Sequence, residues 1–203
     1  VYKISTTKLT LIGLILFWLS QSSSALVLFD PITFIAGNTI PVAMDVRSMS
    51  EVKNDIEIDA LASKALLENK GDSLNRVTVL VFSQHVVLAG IVNSEAAKRK
   101  AIRLIAEDKR IRSLQNKIIL GGPENGGSFM ANLFLEKKIG LALTATQGVH
   151  SVNMRWKAVG GNVVLMGVVS SQAEVSLAVS KVKEVDGVKS VKLCLRVNGK
   201  EST

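Results

Sequence analysis

Apolar and polar positions alternate in the same succession twice along this chain. Val86 to Ala101 reads VVLAGIVNSEAAKRKA, and Val163 to Ala178 reads VVLMGVVSSQAEVSLA. A shift of 77 residues carries the first stretch onto the second and extends the match, without a gap, over about sixty positions. Two copies of around 70 residues suit two small compact units better than a solenoid, which needs three or more repeats to bury a continuous core.

Each copy predicts the same elements. Ile58, Ala62 and Leu66 follow an i, i+4, i+8 spacing, the apolar stripe of a helix, and Leu135, Ile139 and Leu143 repeat it. Val77, Val79 and Val81 alternate with other residues at period two, as do Met154, Trp156 and Ala158, which predicts half-buried strands. Gly160-Gly161-Asn162 is a strong hairpin signal, and Ser83-Gln84-His85 a weaker one at the same place. The runs VVLAGIV and VVLMGVV then form second strands, antiparallel to the first. Gly90 and Gly167 within them mark a bulge or a close backbone approach. A second helix follows, with inner faces expected from Ala96, Ala101, Leu104 and Ile105, and from Ala173, Ala178, Val179 and Val182. Ser171 and Glu174 fit a capping box. In the third strand of the first copy, Leu114, Ile118 and Leu120 are expected inward and Asn116 and Lys117 outward.

The predicted fold class is therefore α+β: two tandem αββαβ units, each a three-stranded mixed sheet with two helices on one face. Such short units bury modest cores, so docking of the copies on each other should add stability. The expected organisation is a leader over 1–25, a lead-in over 26–50, a first unit over 51–120, a glycine-rich linker over 121–128, a second unit over 129–198 and a tail over 199–203.

The leader rests on Lys3 and Lys8, followed by LTLIGLILFWL (Leu9 to Leu19), an apolar run shorter than the roughly 20 residues that span a bilayer. SQSSSA then places Ser23 and Ala25 at the −3 and −1 positions of a cleavage site. Export to the periplasm with cleavage near Ala25 is expected. The apolar LVLF (Leu26 to Phe29) keeps open an alternative, an uncleaved inner-membrane anchor. No cysteine lies near this site, so lipidation there is excluded, and the lone Cys194 excludes an internal disulfide or a multi-cysteine zinc site.

The formal charge is +8. It is uneven: residues 51–120 carry twelve basic and nine acidic side chains, and residues 129–203 carry ten and five. The second half is the more cationic surface.

The ordered pattern I-x-x-x-A, V-V-L-x-G-x-V, a helix with spaced alanines and D-G-V-x-S-V-K resembles the BON domain, named for bacterial osmotically inducible periplasmic and nodulation proteins. The resemblance covers two copies, from about Glu51 to Asn198, and Asp45-Val46-Arg47-Ser48 resembles the lead-in of dual-BON outer-membrane lipoproteins. The lipidated cysteine of those lipoproteins is missing, as is the glycine of the first hairpin. The resemblance implies a non-enzymatic envelope protein, linked to envelope integrity and osmotic stress, that binds phospholipid surfaces.

Candidate chemistry is sparse. His85 and His150 have no partner at metal-ligand spacing and read as exposed turn histidines; Cys194 reads as a small buried hydrophobe. GGPENGGSF (Gly121 to Phe129) lacks the G-K-S/T of a phosphate loop, and no G-x-S-x-G occurs. No catalysis, cofactor, metal, nucleic acid or small-molecule substrate is expected. Two surfaces remain. Lys98, Arg99, Lys100 and Arg103 make a basic helical patch, read either as a solvated face or as an attraction for anionic headgroups. On the first helix of the second copy, Phe134 lies roughly 100° around from the core residue Leu135, close to Lys137, Lys138 and Leu141. An aromatic beside lysines suits interfacial insertion, which Met130 and Leu133 could join. In dual-BON lipoproteins the matching helix is the expected lipid-contacting one. The alternative is that Phe134 packs against the other copy or the linker. The function expected is binding of anionic phospholipid through the second copy; the alternative is a protein–protein module that recruits an envelope partner without lipid.

Overall fold

Among the described residues, four α-helices and six strands follow the order that the two-residue and helical periods require. The computed structural model describes residues 45–69 and 74–198; the expected leader, most of the lead-in and the tail lie outside them. The first repeat consists of α1 (Met49–Glu68), β1 (Val77–Phe82), β2 (His85–Val92), α2 (Glu95–Ala106) and β3 (Ser113–Leu120). The second consists of α3 (Phe129–Ala145), β4 (Met154–Val159), β5 (Asn162–Val169), α4 (Gln172–Lys183) and β6 (Ser190–Val197). All three strands and the second helix of each repeat correspond at the 77-residue offset.

Each sheet is mixed. In the first, β2 pairs antiparallel with β1 and parallel with β3; in the second, β5 does the same with β4 and β6. The parallel pairing requires a crossover, and α2 and α4 supply it. Ile58, Ala62 and Leu66 of α1 and Ala97, Ala101 and Ile105 of α2 cover one face of the first sheet, meeting Val77, Val79, Val81, Val86 and Leu88. Leu135, Ile139 and Leu143 with Val175, Ala178 and Val182 cover the second in the same way.

The opposite faces of the two sheets meet each other. Leu80, Phe82, Val87 and Ala89 form one buried cluster with Val164, Met166, Val168 and Cys194. The repeats thus build four layers, helices outside and two sheets within, in one compact unit. This explains why VVLAGIV and VVLMGVV are apolar at almost every position: both of their faces are buried.

Several sequence expectations need correction. Ala96 and Ala173 are exposed; Ala97 and Val175 turn inward instead, one and two positions later. Leu120 is exposed because it ends an edge strand beyond the reach of α2. Ser171 does cap α4 by accepting from Glu174 N at 3.2 Å, but the Glu174 carboxylate returns to Ser170, so the box is not reciprocal. A reciprocal box occurs at α1, between Ser48 and Glu51.

Gly90 and Gly167 are close approaches, not bulges. Each lies in an uninterrupted ladder opposite the first residue of the neighbouring strand, with φ of +154° and +137°. A methyl at Gly167 would overlap the Asn153 carbonyl oxygen and lie 2.9 Å from Met154 Cα; at Gly90 it would overlap the Arg76 carbonyl oxygen.

Candidate functional site: the outer face of the second repeat

α3 begins at Ser128, whose side chain accepts from Ala131 N at 3.1 Å. Its inner row is Leu135, Ile139 and Leu143, all buried. At about 100° per residue, Phe134 lies about 140° from Ile139, and Met130, Lys137, Lys138 and Leu141 fall within about 60° of Phe134. This row points away from the core. Phe134 is 57 % exposed, Leu141 66 % and Met130 53 %, while Leu133 is half-buried at the row's margin. More than half of the Phe134 side chain is open to solvent. Lys137 and Lys138 are exposed, and Lys138 Nζ lies 3.6 Å from the fully exposed Asp186. Glu136 is turned the other way. Its carboxylate accepts from Ala158 N and pairs with Lys157, and its carbonyl accepts from Trp156 Nε1 at 2.9 Å. The row's own residues are lysines and apolar side chains, with the Asp186 carboxylate beside Lys138.

The same positions of α1 differ in chemistry. Phe134 corresponds to Glu57, Met130 to Lys53 and Leu141 to Lys64. Lys53 and Glu57 approach to 3.9 Å, Lys64 and Glu68 to 3.8 Å, and Glu57 also accepts from Arg110 at 2.6 Å. Met49, Ile56, Leu61 and Leu67 are also exposed on α1, but they stand among these ion pairs.

The BON domain family model matches residues 54–122 and 135–199, both repeats of the chain. The chain belongs to the BON-domain family. It is similar to osmotically-inducible protein Y of Escherichia coli, with 29% identity over 150 residues, 71% of this chain and 75% of that protein. It is also similar to an uncharacterized protein in the gshII 5′ region of Anaplasma centrale, with 32% identity over 116 residues, 57% of this chain and 77% of that one. Among solved structures, the C-terminal domain of CdsD, a structural protein of the type III secretion system of Chlamydia trachomatis, covers 70% of this chain at 16% identity. Its TM-score of 0.29 carries no argument.

The basic patch lies on the first BON repeat. Arg99 and Arg103 are exposed one turn apart, whereas Lys98 is half-buried and pairs with Glu95 at 3.5 Å. Because α2 and α3 belong to opposite outer layers, a surface that meets α3 does not meet this patch. Two open clefts, of about 390 and 310 Å³, add little chemistry. The first is lined by Ile58, Leu61, Leu104 and Ile111, with Asp108 and Arg110 paired at its rim. In the second, the Glu174 carboxylate already accepts from His150 N and from Ser170 N and Oγ. Burial opposes the charge of Glu174, but these hydrogen bonds hold its pKa below the usual range.

The histidines are not free turn residues. His85 opens β2, is half-buried, and its Nδ1 lies 2.5 Å from Ser113 Oγ. Burial first, then Arg196 and Arg112, lower its pKa to about 4. His150 Nδ1 lies 3.1 Å from Glu174. Cys194 is buried as expected, in the inter-sheet core, and burial pushes its thiol up.

Sequence reasoning missed a polar seam between the BON repeats. Phe82 is fully buried, with the Arg47 guanidinium 4.4 Å and the Arg155 guanidinium 5.3 Å from its ring centre. Arg47 pairs with Asp45 at 2.6 Å and Asp55 at 2.9 Å, and Val46 N donates to Asn153 Oδ1 of the second repeat. Burial opposes the charge of Asp45, but hydrogen bonds from the Arg47 side chain and backbone hold its pKa low. The Asp45-Val46-Arg47-Ser48 stretch is thus a clasp across the repeats. The available signal was Asp55, a carboxylate on the apolar side of a predicted helix.

Proposed function

We propose that this chain is a non-enzymatic envelope protein that binds anionic phospholipid surfaces through the outer face of α3 and supports envelope integrity under osmotic stress. One observation carries the reading: Met130, Phe134 and Leu141 stand exposed in a row with Lys137 and Lys138. Such a helix lies in the plane of the interface, apolar side chains in the acyl boundary and ammonium groups at the phosphates. Removing an apolar side chain from water is worth roughly 1.5–3 kcal/mol when complete. A lysine near an anionic surface contributes about 1 kcal/mol. The apolar row therefore dominates affinity, and the lysines select the charge of the surface. Membership in the BON family and similarity to a protein named osmotically inducible support the stress role.

A periplasmic location follows from the leader reading of residues 1–25. No helix among the described residues is long and apolar enough to cross a membrane. Leu133 takes part at the margin, and Arg99 and Arg103 serve a separate contact or none.

Co-sedimentation with vesicles tests the reading. The chain is expected to pellet with phosphatidylglycerol-containing vesicles and to remain in the supernatant with phosphatidylcholine alone. Equal recovery from both vesicles sinks the charge selection; no recovery from either sinks the lipid reading.

A further inference from the structure

The third strands of the two repeats leave their outer edges in different states. Asn198 N donates to Val169 O just beyond β6, and Gly121 N donates to Val92 O just beyond β3. Backbone groups alternate sides along a strand. Val191, Leu193, Leu195 and Val197 therefore turn their N–H and C=O groups away from β5, as Leu114, Asn116, Ile118 and Leu120 turn theirs away from β2. In β3 the middle of this edge is closed from within: Asn116 Oδ1 accepts from Ile118 N at 2.9 Å. The corresponding residue of β6 is Leu193, which is 44 % exposed and has no acceptor to offer Leu195 N–H. Among the described residues β6 has one strand neighbour, β5.

Charge narrows what could occupy this edge. β6 carries Lys192 and Arg196 and no acidic residue, and both side chains are exposed. They flank Cys194 on the inter-sheet face; burial first, then Arg112, disfavours the charge of Arg196, and Lys117 of β3 partly offsets the effect of burial on the Cys194 thiol. Cations of both repeats therefore gather beside the open edge. A second copy pairing antiparallel about Cys194 would set Lys192 against Arg196, which disfavours self-association.

We propose that the outer edge of β6 receives an extended acidic segment of a partner protein as a fourth strand. Carboxylates at alternate positions lie beside Lys192 and Arg196, and the apolar residues between them lie beside Leu193 and Leu195. Main-chain hydrogen bonds supply affinity and the alternating side chains supply selectivity. This site is independent of the lipid face on α3.

Fluorescence anisotropy of the full chain with labelled peptides tests it. The probes are a peptide of alternating glutamate and valine, its lysine counterpart, and an acidic peptide N-methylated at every residue, which cannot donate to a strand. The acidic peptide is expected to bind, more weakly as salt rises, and the lysine and N-methylated peptides at least about tenfold more weakly. Leu193→Asn, which copies the closure found in β3, and Lys192→Glu are each expected to weaken the acidic peptide by about tenfold or more. Failure of the acidic peptide to bind overturns the proposal. So does equal binding of the N-methylated or lysine peptide, equal binding by both variants, or self-association of the chain that Leu193→Asn abolishes.

Discussion

Positions 57 and 134 occupy the same place in two copies of one unit, yet one holds Glu57 in ion pairs and the other a bare Phe134. The inner rows of α1 and α3 are interchangeable in character because each must cover a sheet. The outer rows do not cover a sheet, so they are free to diverge in chemistry. Both rows expose apolar side chains, but α1 sets them among carboxylates of its own helix, whereas α3 sets them beside Lys137 and Lys138, which favours an anionic interface.

The hairpins differ in the same instructive way. Asp55 and Asn132 correspond at the 77-residue offset, and both accept from the first turn residue of their hairpin: Asp55 from Ser83 N at 2.8 Å, Asn132 from Gly160 N at 3.0 Å. In the second repeat Gly160 and Gly161 adopt φ of +58° and +88° at no steric cost. In the first, Ser83 and Gln84 adopt +50° and +63°, and Asp55 compensates by accepting from Gln84 N as well. Arg47 in turn balances the buried Asp55 carboxylate.

The largest expected effect follows from that dependence. Asp55→Ala leaves Arg47 short of a buried partner and strips two turn N–H groups, and should cost about 3–5 kcal/mol in chemical denaturation. Asn132→Ala should cost less, because no buried charge is stranded. If the two cost the same, the hairpins are held alike and the contrast fails. Gly167→Ala comes next, at roughly 2–4 kcal/mol, because the added methyl meets backbone and the φ is positive. Gly90→Ala should match it, since this device is common to both repeats. Ser83→Gly with Gln84→Gly gives the first hairpin the backbone freedom of the second and should stabilise by about 0.5–1 kcal/mol. A further effect is that of pH. The folded pKa of His85, about 4, lies below its ordinary 6.5, so the unfolded chain takes up a proton first and stability falls as pH drops from 6.5 toward 4. His85→Gln should flatten that part of the stability profile; an unchanged slope assigns it to other groups.

The architecture was legible because two periods and one offset agree along the whole chain. The strands, crossover helices and buried stripes stand where Val77, Leu88, Ile58 and their counterparts placed them. The continuous apolar runs of β2 and β5 carried a further message, that both faces are buried, which one-sided cover by helices leaves unexplained. The seam was not legible in detail. Arg47, Phe82 and Arg155 are far apart in sequence, and nothing local pairs them. Edge strands blurred the pattern as well: Leu120 alternates with the core of β3 yet stands outside it. The recurrence of a polar residue at 55 and 132, on the apolar side of both helices, was the clue to the hairpin clasps. The outer row of α3 was legible from helical spacing alone, since exposure there follows from the placement of Leu135 and Ile139.

The asymmetry between the outer rows is open to a reciprocal exchange. Binding to phosphatidylglycerol vesicles should be lost in Phe134→Glu, and Glu57→Phe should not restore it in that background, because Glu68 of α1 still neutralises Lys64 and other acidic side chains remain on that helix. Retained binding by Phe134→Glu, or restoration by Glu57→Phe, would contradict the assignment of the lipid face to the second repeat.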